Sequence, residues 1–330
     1  VNSVNADIVI VNWNSGPLLR ECLASIEAFP EGVGQVIVVD NGSTDGSADI
    51  SALPTRTRII PMGENVGFAK GCNLGAEHCT APYILLLNPD ARLLANGLPS
   101  VLNFMESEQG SAAGIAGIQL VDKFARVQKT CSRSPTLWRY FGQGLGLDRV
   151  FPRIFKPHFM LEFDHATTRA VDGVMGAFYL VRSQLYVDLG GMDERFFVYL
   201  EEVDFSLRAR LAGWSTYHFA GGQAFHLGGG TTDKVKALRL FYSFRSRTLF
   251  IFKSRGAAAG VALVLLTLTI EFGARCISAR SVKQLGETFR GYRMYLRSLP
   301  AVIRTALACS KDDMRELRRL QVLAGSKAPS

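Results

Sequence analysis

The sequence predicts an α/β fold: a parallel sheet covered on both faces by helices, followed by a basic helical appendage. Three observations carry this. Strand-length runs in the first 120 residues are apolar throughout instead of alternating, which marks strands buried on both faces. Segments of helical period separate them, the order that builds parallel sheets. The charge then changes sign along the chain: residues 1–232 carry 18 Lys/Arg against 23 Asp/Glu, and residues 233–330 carry 19 against 6.

The elements follow in order. Asp7 to Val11 is the first strand, closed by the turn residues Asn12, Asn14, Ser15 and Gly16. Leu18, Leu19, Cys22, Leu23, Ile26 and Phe29 recur at helical spacing and stop at Pro30. Val36 to Val39 is a second strand ending at Asp40, and Arg58 to Ile60 a short third. Gly67 to Cys79 reads as a helix, and Tyr83 to Leu87 as a fourth strand ending at Asn88. Residues 120–170 hold scattered aromatics and Pro135, Pro152 and Pro157, and read as a connecting region without a site. Ala177 to Arg182 is a strand, a helix starts at Ser183, and Glu201 to Leu211 is a further helix with Phe205, Leu207 and Leu211 on its buried side.

From Val235 the pattern is helical, with Leu238, Phe241, Tyr242, Leu249 and Phe252 on one face and Arg245 among them. Gly256 to Ile270 is uncharged. Its fifteen residues reach about 22 Å as a helix, short of a bilayer's hydrocarbon core of about 30 Å. An interfacial or hairpin-like element is therefore expected. Arg275, Arg280, Lys283, Arg290, Arg293 and Arg297 follow, interleaved with Phe289, Tyr292, Tyr295 and Leu296, a mixture suited to anionic headgroups. The tail carries no nucleic-acid-binding motif, so no nucleic acid partner is expected.

Composition bounds the rest. With 48% hydrophobic and 20% charged residues, the chain buries a core and is not disordered. Six cysteines form no C-x-x-C pair, which reads as reduced thiols in the cytosol. No stretch has the layout of a secretory signal.

Polar residues cluster after the strand ends, where open parallel sheets bind ligands. Asp40 opens the turn DNGSTD, and an acid there accepts an imide N–H of a uracil or thymine ring. Asn65, Gly67 and Asn73 surround a helix start that offers backbone N–H groups to phosphate or ribose. The spacing is not G-x-G-x-x-G, so a dinucleotide site has little support. Asn88–Pro89–Asp90 places one carboxylate on a proline-fixed turn, a site for Mg²⁺ or Mn²⁺ bound with substrate phosphate. Glu201, Glu202 and Asp204 crowd three carboxylates, and crowding raises at least one pKa toward that of a general base. Glu201 and Asp204 are expected on one helix face. His226 is a candidate further metal ligand.

In this order, VVDNGSTD, N-x-G-F-x-x-G-x-N, LLLNPDA, VDGVMGAFYLVR, GGMDERFFVYLEEVDFSLRARLAGW and H-x-G-G-G resemble the family 2 glycosyltransferases of GT-A fold, rhamnosyltransferase-type members above all. The resemblance spans about residues 6–255. It implies a mixed, mainly parallel sheet flanked by helices in a catalytic domain of residues 1–255, with residues 256–330 as a membrane-associating tail. It implies that Asp40 contacts the nucleobase, that Asn12, Asn65, Gly67, Asn73, Asn88 and Arg245 belong to the donor site, and that Asp90 matches the second aspartate of a D-x-D metal motif. Gly173, Met175 and Gly176 are placed near the acceptor. The base falls on Glu202, and the choice among Glu201, Glu202 and Asp204 stays open because Glu replaces the family's Asp.

The implied activity is inverting transfer, L-rhamnose from dTDP-L-rhamnose, to a lipid-linked saccharide at the cytoplasmic face of the plasma membrane. The product belongs to polysaccharide or cell-wall assembly. A UDP-sugar donor and a catalytically silent binding protein of the same fold are the alternatives.

Overall fold

Burial on both faces organises the sheet around β1 (Ala6–Asn12), every residue of which is buried. Ile8 and Ile10 point to one core layer, with α1 (Leu18–Ala28) and α3 (Gly97–Glu106). Val9 and Val11 point to the other, with α2 (Phe68–Ala76), α6 (Ser183–Asp188) and α7 (Glu201–Leu211). The period of two along an all-apolar strand thus feeds two hydrophobic layers at once. The computed structural model describes residues 4–50, 54, 56–228 and 236–325.

The other strands are β2 (Val33–Asp40), β3 (Thr57–Pro61), β4 (Tyr83–Leu87), β5 (Ala91–Leu93), β6 (Ala113–Val121), β7 (Arg169–Val171), β8 (Phe178–Arg182) and β9 (Ser215–His226). They form one sheet in the order β3-β2-β1-β4-β8-β6-β9-β5, with β7 paired to β9. β3, β2, β1 and β4 are parallel, as are β6 and β9. β8 runs antiparallel between β4 and β6, which makes the sheet mixed. The sequence reading did not single out β6, although it is central and almost wholly buried. Its Gly114 and Gly117 weaken the strand signal. Both are packing requirements, since a Cβ on Gly117 would lie 2.8 Å from Val174 Cβ.

The connecting region holds α4 (Leu137–Gly144), capped by Thr136 Oγ1, and the short α5 (Leu147–Val150). The C-terminal part comprises α8 (Lys236–Arg255), α9 (Ala257–Leu266), a π-helical turn at Thr267–Glu271, α10 (Phe272–Ser278) and α11 (Val282–Gly325). α9 to α10 is one continuous stretch, Ala257–Ser278, of 22 residues, and so about 33 Å long. By length and composition it is long and apolar enough to cross a membrane, which the fifteen-residue count did not suggest. One face nonetheless packs on protein: Gly260 fits against Phe252, and Glu271 is buried in an ion pair with Arg247. A third core cluster joins Leu249 to Phe252 of α8, Leu263 and Val264 of α9, and Val302 and Ala306 of α11 to Tyr140, Phe196 and Val203. The helices on both sides of residue 255 therefore share one core, and that core reaches the residues that start α7.

Candidate active site

The strands that run with β1 end together, so the polar residues after them converge. Asn12 and Asp40 stand opposite each other in register. Asn12 is fully buried, and its amide donates to Asp40 Oδ1 (2.8 Å), Ser47 Oγ (3.0 Å) and Ser43 Oγ (3.1 Å) while its oxygen accepts from Ser15 Oγ. It was expected at a donor. Its amide N–H groups are spent and it is closed to solvent, so it orients Asp40 instead. Asp40 Oδ1 takes a second bond from Ser43 Oγ (2.6 Å), and among the described residues Oδ2 accepts only the Ser43 N–H, at 3.2 Å. That second oxygen keeps lone-pair capacity for a base N–H.

The start of α2 differs from expectation. The Gly67 N–H bonds to Asn65 Oδ1 (3.0 Å) and the Phe68 N–H to the Phe197 carbonyl (2.6 Å), so neither is offered to a phosphate. Gly67 has φ +92°, and a Cβ there would lie 2.7 Å from Phe197 O, so only glycine fits. Asn73 is a further correction. Its amide donates to Met192 O and Glu194 Oε1, and its oxygen accepts from Tyr186 Oη and Met192 N, at 2.7–3.0 Å. It clamps the segment that leads to α7 and has nothing left for a ligand.

Asn88–Pro89–Asp90 forms the turn between β4 and β5. The Asn88 N–H donates to Ala177 O (3.1 Å), tying the turn to the start of β8. Antiparallel pairing of β5 with β9 sets Ala91 opposite His226, and the Leu227 N–H donates to Asp90 O (3.1 Å). This pairing brings His226 Nε2 within 3.5 Å of Asp90 Oδ1. Gln128 fixes the ring. Its Nε2 donates to the His226 carbonyl (2.7 Å), so its oxygen faces His226 Nδ1 (3.0 Å), which must carry the proton. Nε2 then presents a lone pair beside a carboxylate. That donor set fits a hard divalent cation, since two cis ligands of an octahedral ion about 2.1 Å away sit about 3 Å apart. Among the described residues no group of three or more His, Cys, Asp or Glu side chains converges, so phosphate and water would complete the shell.

The carboxylates of α7 separate into different roles. Asp204 is 1% exposed and ion-paired to Arg208 (2.8 Å) and Lys253 (2.8 Å). Both partners also anchor the approach to the helix: Arg208 donates to the carbonyls of Leu189 and Gly191, and Lys253 bonds Asp193. Asp204 is therefore a structural anion, not the base. Glu201 and Glu202 each hold a buried Oε2 without a partner among the described residues. Burial raises both carboxyls above the ordinary value, and Glu202 adds to the rise at Glu201. Glu201 is 4% exposed and faces α2, where burial and then the two glutamates push the Cys72 thiol up. Glu202 is half-buried, and its Cβ and Cγ lie 4.0 Å from the position of a Cβ on Gly176. Gly176 precedes Ala177, which holds Asn88. Glu202 and the Asp90 turn thus flank one strand end.

Of the other expected acceptor residues, Met175 packs on the core and Gly173 is buried, its carbonyl accepting from Ser132 N–H (2.9 Å). Gly173 therefore shapes the wall without touching a ligand. Arg245 is half-buried and donates to the Arg195 carbonyl (2.8 Å), and burial pulls its pKa down. It makes no ion pair among the described residues. It sits near Tyr242, which stacks on Phe197 at 4.8 Å, and so near the start of α2. Sequence reasoning missed Gln128 and Lys253. Nothing in its surroundings marks Gln128, whereas Lys253 follows the apolar run Leu249 to Phe252, a sign of a buried cation.

Residues 7–160 match the family model described as Glycosyl transferase family 2. The chain is 28% identical over 258 residues to the N-acetylglucosaminyl-diphospho-decaprenol L-rhamnosyltransferase of Mycobacterium tuberculosis, covering 74% of this chain and 83% of that protein. Among solved structures it is similar to the mannosyltransferase PcManGT from Pyrobaculum calidifontis in complex with GDP-Man and Mn2+. That likeness has a TM-score of 0.53 at 14% identity, over 98% of this chain and 88% of the other. S. aureus TarS 1-349 gives a TM-score of 0.50 at 12% identity, over 98% and 91%. At these identities the solved structures speak for the fold alone, which is the GT-A glycosyltransferase fold.

Proposed function

We propose that this chain, which belongs to the family 2 glycosyltransferases, transfers L-rhamnose from dTDP-L-rhamnose to a lipid-linked saccharide with inversion at the anomeric carbon. The observation that carries the reading is the pair of groups flanking the β4–β8 strand end: on one side the half-buried Glu202, whose Oε2 has no partner among the described residues, and on the other Asp90 with His226. Glu202 takes the proton of the acceptor hydroxyl as that oxygen attacks. Burial raises its pKa, which makes it a stronger base than an exposed glutamate. Glu201 is deeper and nearly closed to solvent, and burial and then Glu202 raise its own pKa. Asp40 accepts the base N–H, and Arg245 supplies a positive charge for the leaving diphosphate. A divalent cation held by Asp90 and His226, Mg²⁺ or Mn²⁺, would supply Lewis-acid stabilisation of that leaving group. Single displacement needs no covalent nucleophile.

The N-P-D turn and the name of the mycobacterial relative support rhamnose and a lipid-linked acceptor. The tail supports the cytoplasmic membrane face as the place of action. Val261, Leu265, Ile270, Ile277 and Val282 are exposed along α9 to α11, beside Arg275, Arg280 and Lys283. Such a surface fits an anionic bilayer. A UDP-sugar donor and a silent binding protein are separated from this reading by one experiment. Purified protein is incubated with dTDP-L-rhamnose, UDP-glucose or UDP-N-acetylglucosamine and a prenyl-diphosphate-linked N-acetylglucosamine, with Mg²⁺ or Mn²⁺. Transfer from the dTDP donor, with the product's anomeric configuration inverted by NMR, is expected. Transfer from a UDP donor alone, retention, or no transfer would each count against it.

A further inference from the structure

The connecting region, read as featureless in the sequence, walls an open pocket of about 520 Å³. Arg133, Lys156 and Arg169 line it. Arg133 pairs with Glu162, whereas Lys156 and Arg169 are exposed and make no ion pair among the described residues. Arg169 only lies over the Phe163 ring, at 5.2 Å. Behind Arg133 stand two buried nitrogens without a partner among the described residues, Arg139 Nε and His158 Nδ1. Burial, followed by repulsion from Arg139, draws Arg133 below the usual arginine range. The lining sets three cations against the two carboxylates of Glu162 and Asp164, an excess of positive charge that a bound anion offsets.

The pocket is attached to the reaction site. The Ser132 N–H donates to Gly173 O (2.9 Å) and the Ser134 N–H to Asp172 Oδ2 (2.9 Å), so its wall is continuous with the Asp172–Gly176 segment beside Glu202. On the outer side is an apolar shelf. Trp138, 54% exposed, stacks on Phe155 at 4.6 Å, and Phe151, Ile154 and Leu161 are exposed nearby in sequence. The shelf leads toward the tail, because α4 packs on α9 and Gly144 meets Glu271.

We infer that Arg133, Lys156 and Arg169 bind the diphosphate that joins the saccharide acceptor to its lipid, with the prenyl chain laid along the Trp138–Phe155 shelf. This rests on the proposed lipid-linked acceptor and assigns it a binding site. It places the anion on one side of the Gly173–Gly176 segment and the sugar hydroxyl on the other, against Glu202.

The test compares two acceptors with one donor: prenyl-diphosphate N-acetylglucosamine, and octyl N-acetylglucosaminide, which lacks phosphate. In Lys156→Ala/Arg169→Ala, both at exposed positions, KM for the first should rise at least tenfold. KM for the second and for the nucleotide sugar should stay within twofold. Farnesyl diphosphate should inhibit the wild type competitively against the diphosphate acceptor and lose at least tenfold in potency on the double variant. Trp138→Ser should weaken farnesyl diphosphate but not inorganic pyrophosphate. A parallel shift of both acceptors, or inhibition competitive with the donor, would overturn the assignment. If the wild type uses no lipid-linked acceptor, the functional reading itself fails. If it does and the variants keep its KM, only this pocket is wrong.

Discussion

Glu202→Gln tests the site most directly, because the structure gives it opposite effects on rate and on stability. Glu202 Oε2 is buried with no partner among the described residues, and burial disfavours the charged form of its carboxyl. Loss of a general base costs about 10²- to 10⁴-fold in kcat, or about 3–5 kcal/mol of barrier. Stability should move the other way. A carboxyl whose folded pKa is raised holds its proton longer in the folded state, so it lowers stability as pH rises above the ordinary value of 4.5. The penalty is complete once pH passes the folded pKa. The glutamine variant is spared it, so the difference in Tm should grow with pH from about that ordinary value and then level off. The assays are steady-state turnover with dTDP-L-rhamnose and thermal unfolding by fluorescence from pH 4 to 8. The wild-type rate should rise with pH along an acid limb above 4.5. A variant with full turnover, or one that is less stable than wild type at pH 8, would refute the reasoning.

Other outcomes follow from neighbouring contacts. Asp90→Asn and His226→Ala should each lower activity about a hundredfold at low Mn²⁺, with partial recovery at high Mn²⁺ in a metal titration; metal-independent loss would remove the cation from the site. Gln128→Ala frees the His226 tautomer, and should weaken apparent metal affinity about tenfold with little change in donor KM. Lys253→Met leaves Asp193 and Asp204 without their shared cation, which should cost about 3–5 kcal/mol in urea unfolding. Gly67→Ala forces a Cβ against Phe197 O and a left-handed backbone, so about 1–3 kcal/mol is expected along with a fall in kcat.

Most of the parallel block was legible because its signals are local. An all-apolar run such as Tyr83 to Leu87 specifies a strand buried on both faces, and the helix Glu201–Leu211 has its bounds where the pattern put them. β6 was not legible, since its glycines serve Val174 and Leu185, which are distant in sequence. The clustering of polar residues at the strand ends was legible, but not how each side chain is bonded. Asn12, Asn73 and Asp204 stand in the same polar clusters as Asp40 and Glu202, and no pattern in the chain tells a saturated side chain from an available one.

By itself the sequence determined the strand–helix alternation, the clustering of polar residues at strand ends and the basic, apolar tail, because each depends on residues near one another in the chain. The tertiary structure alone decided which carboxylate is tied up and which is open. Asp204 is neutralised by Lys253, 49 residues away, while Glu201 and Glu202 each keep a buried Oε2 without a partner among the described residues. It alone brought His226 to Asp90, through the pairing of β5 with β9. Partner choice is a property of packing, and packing joins residues that the sequence keeps far apart.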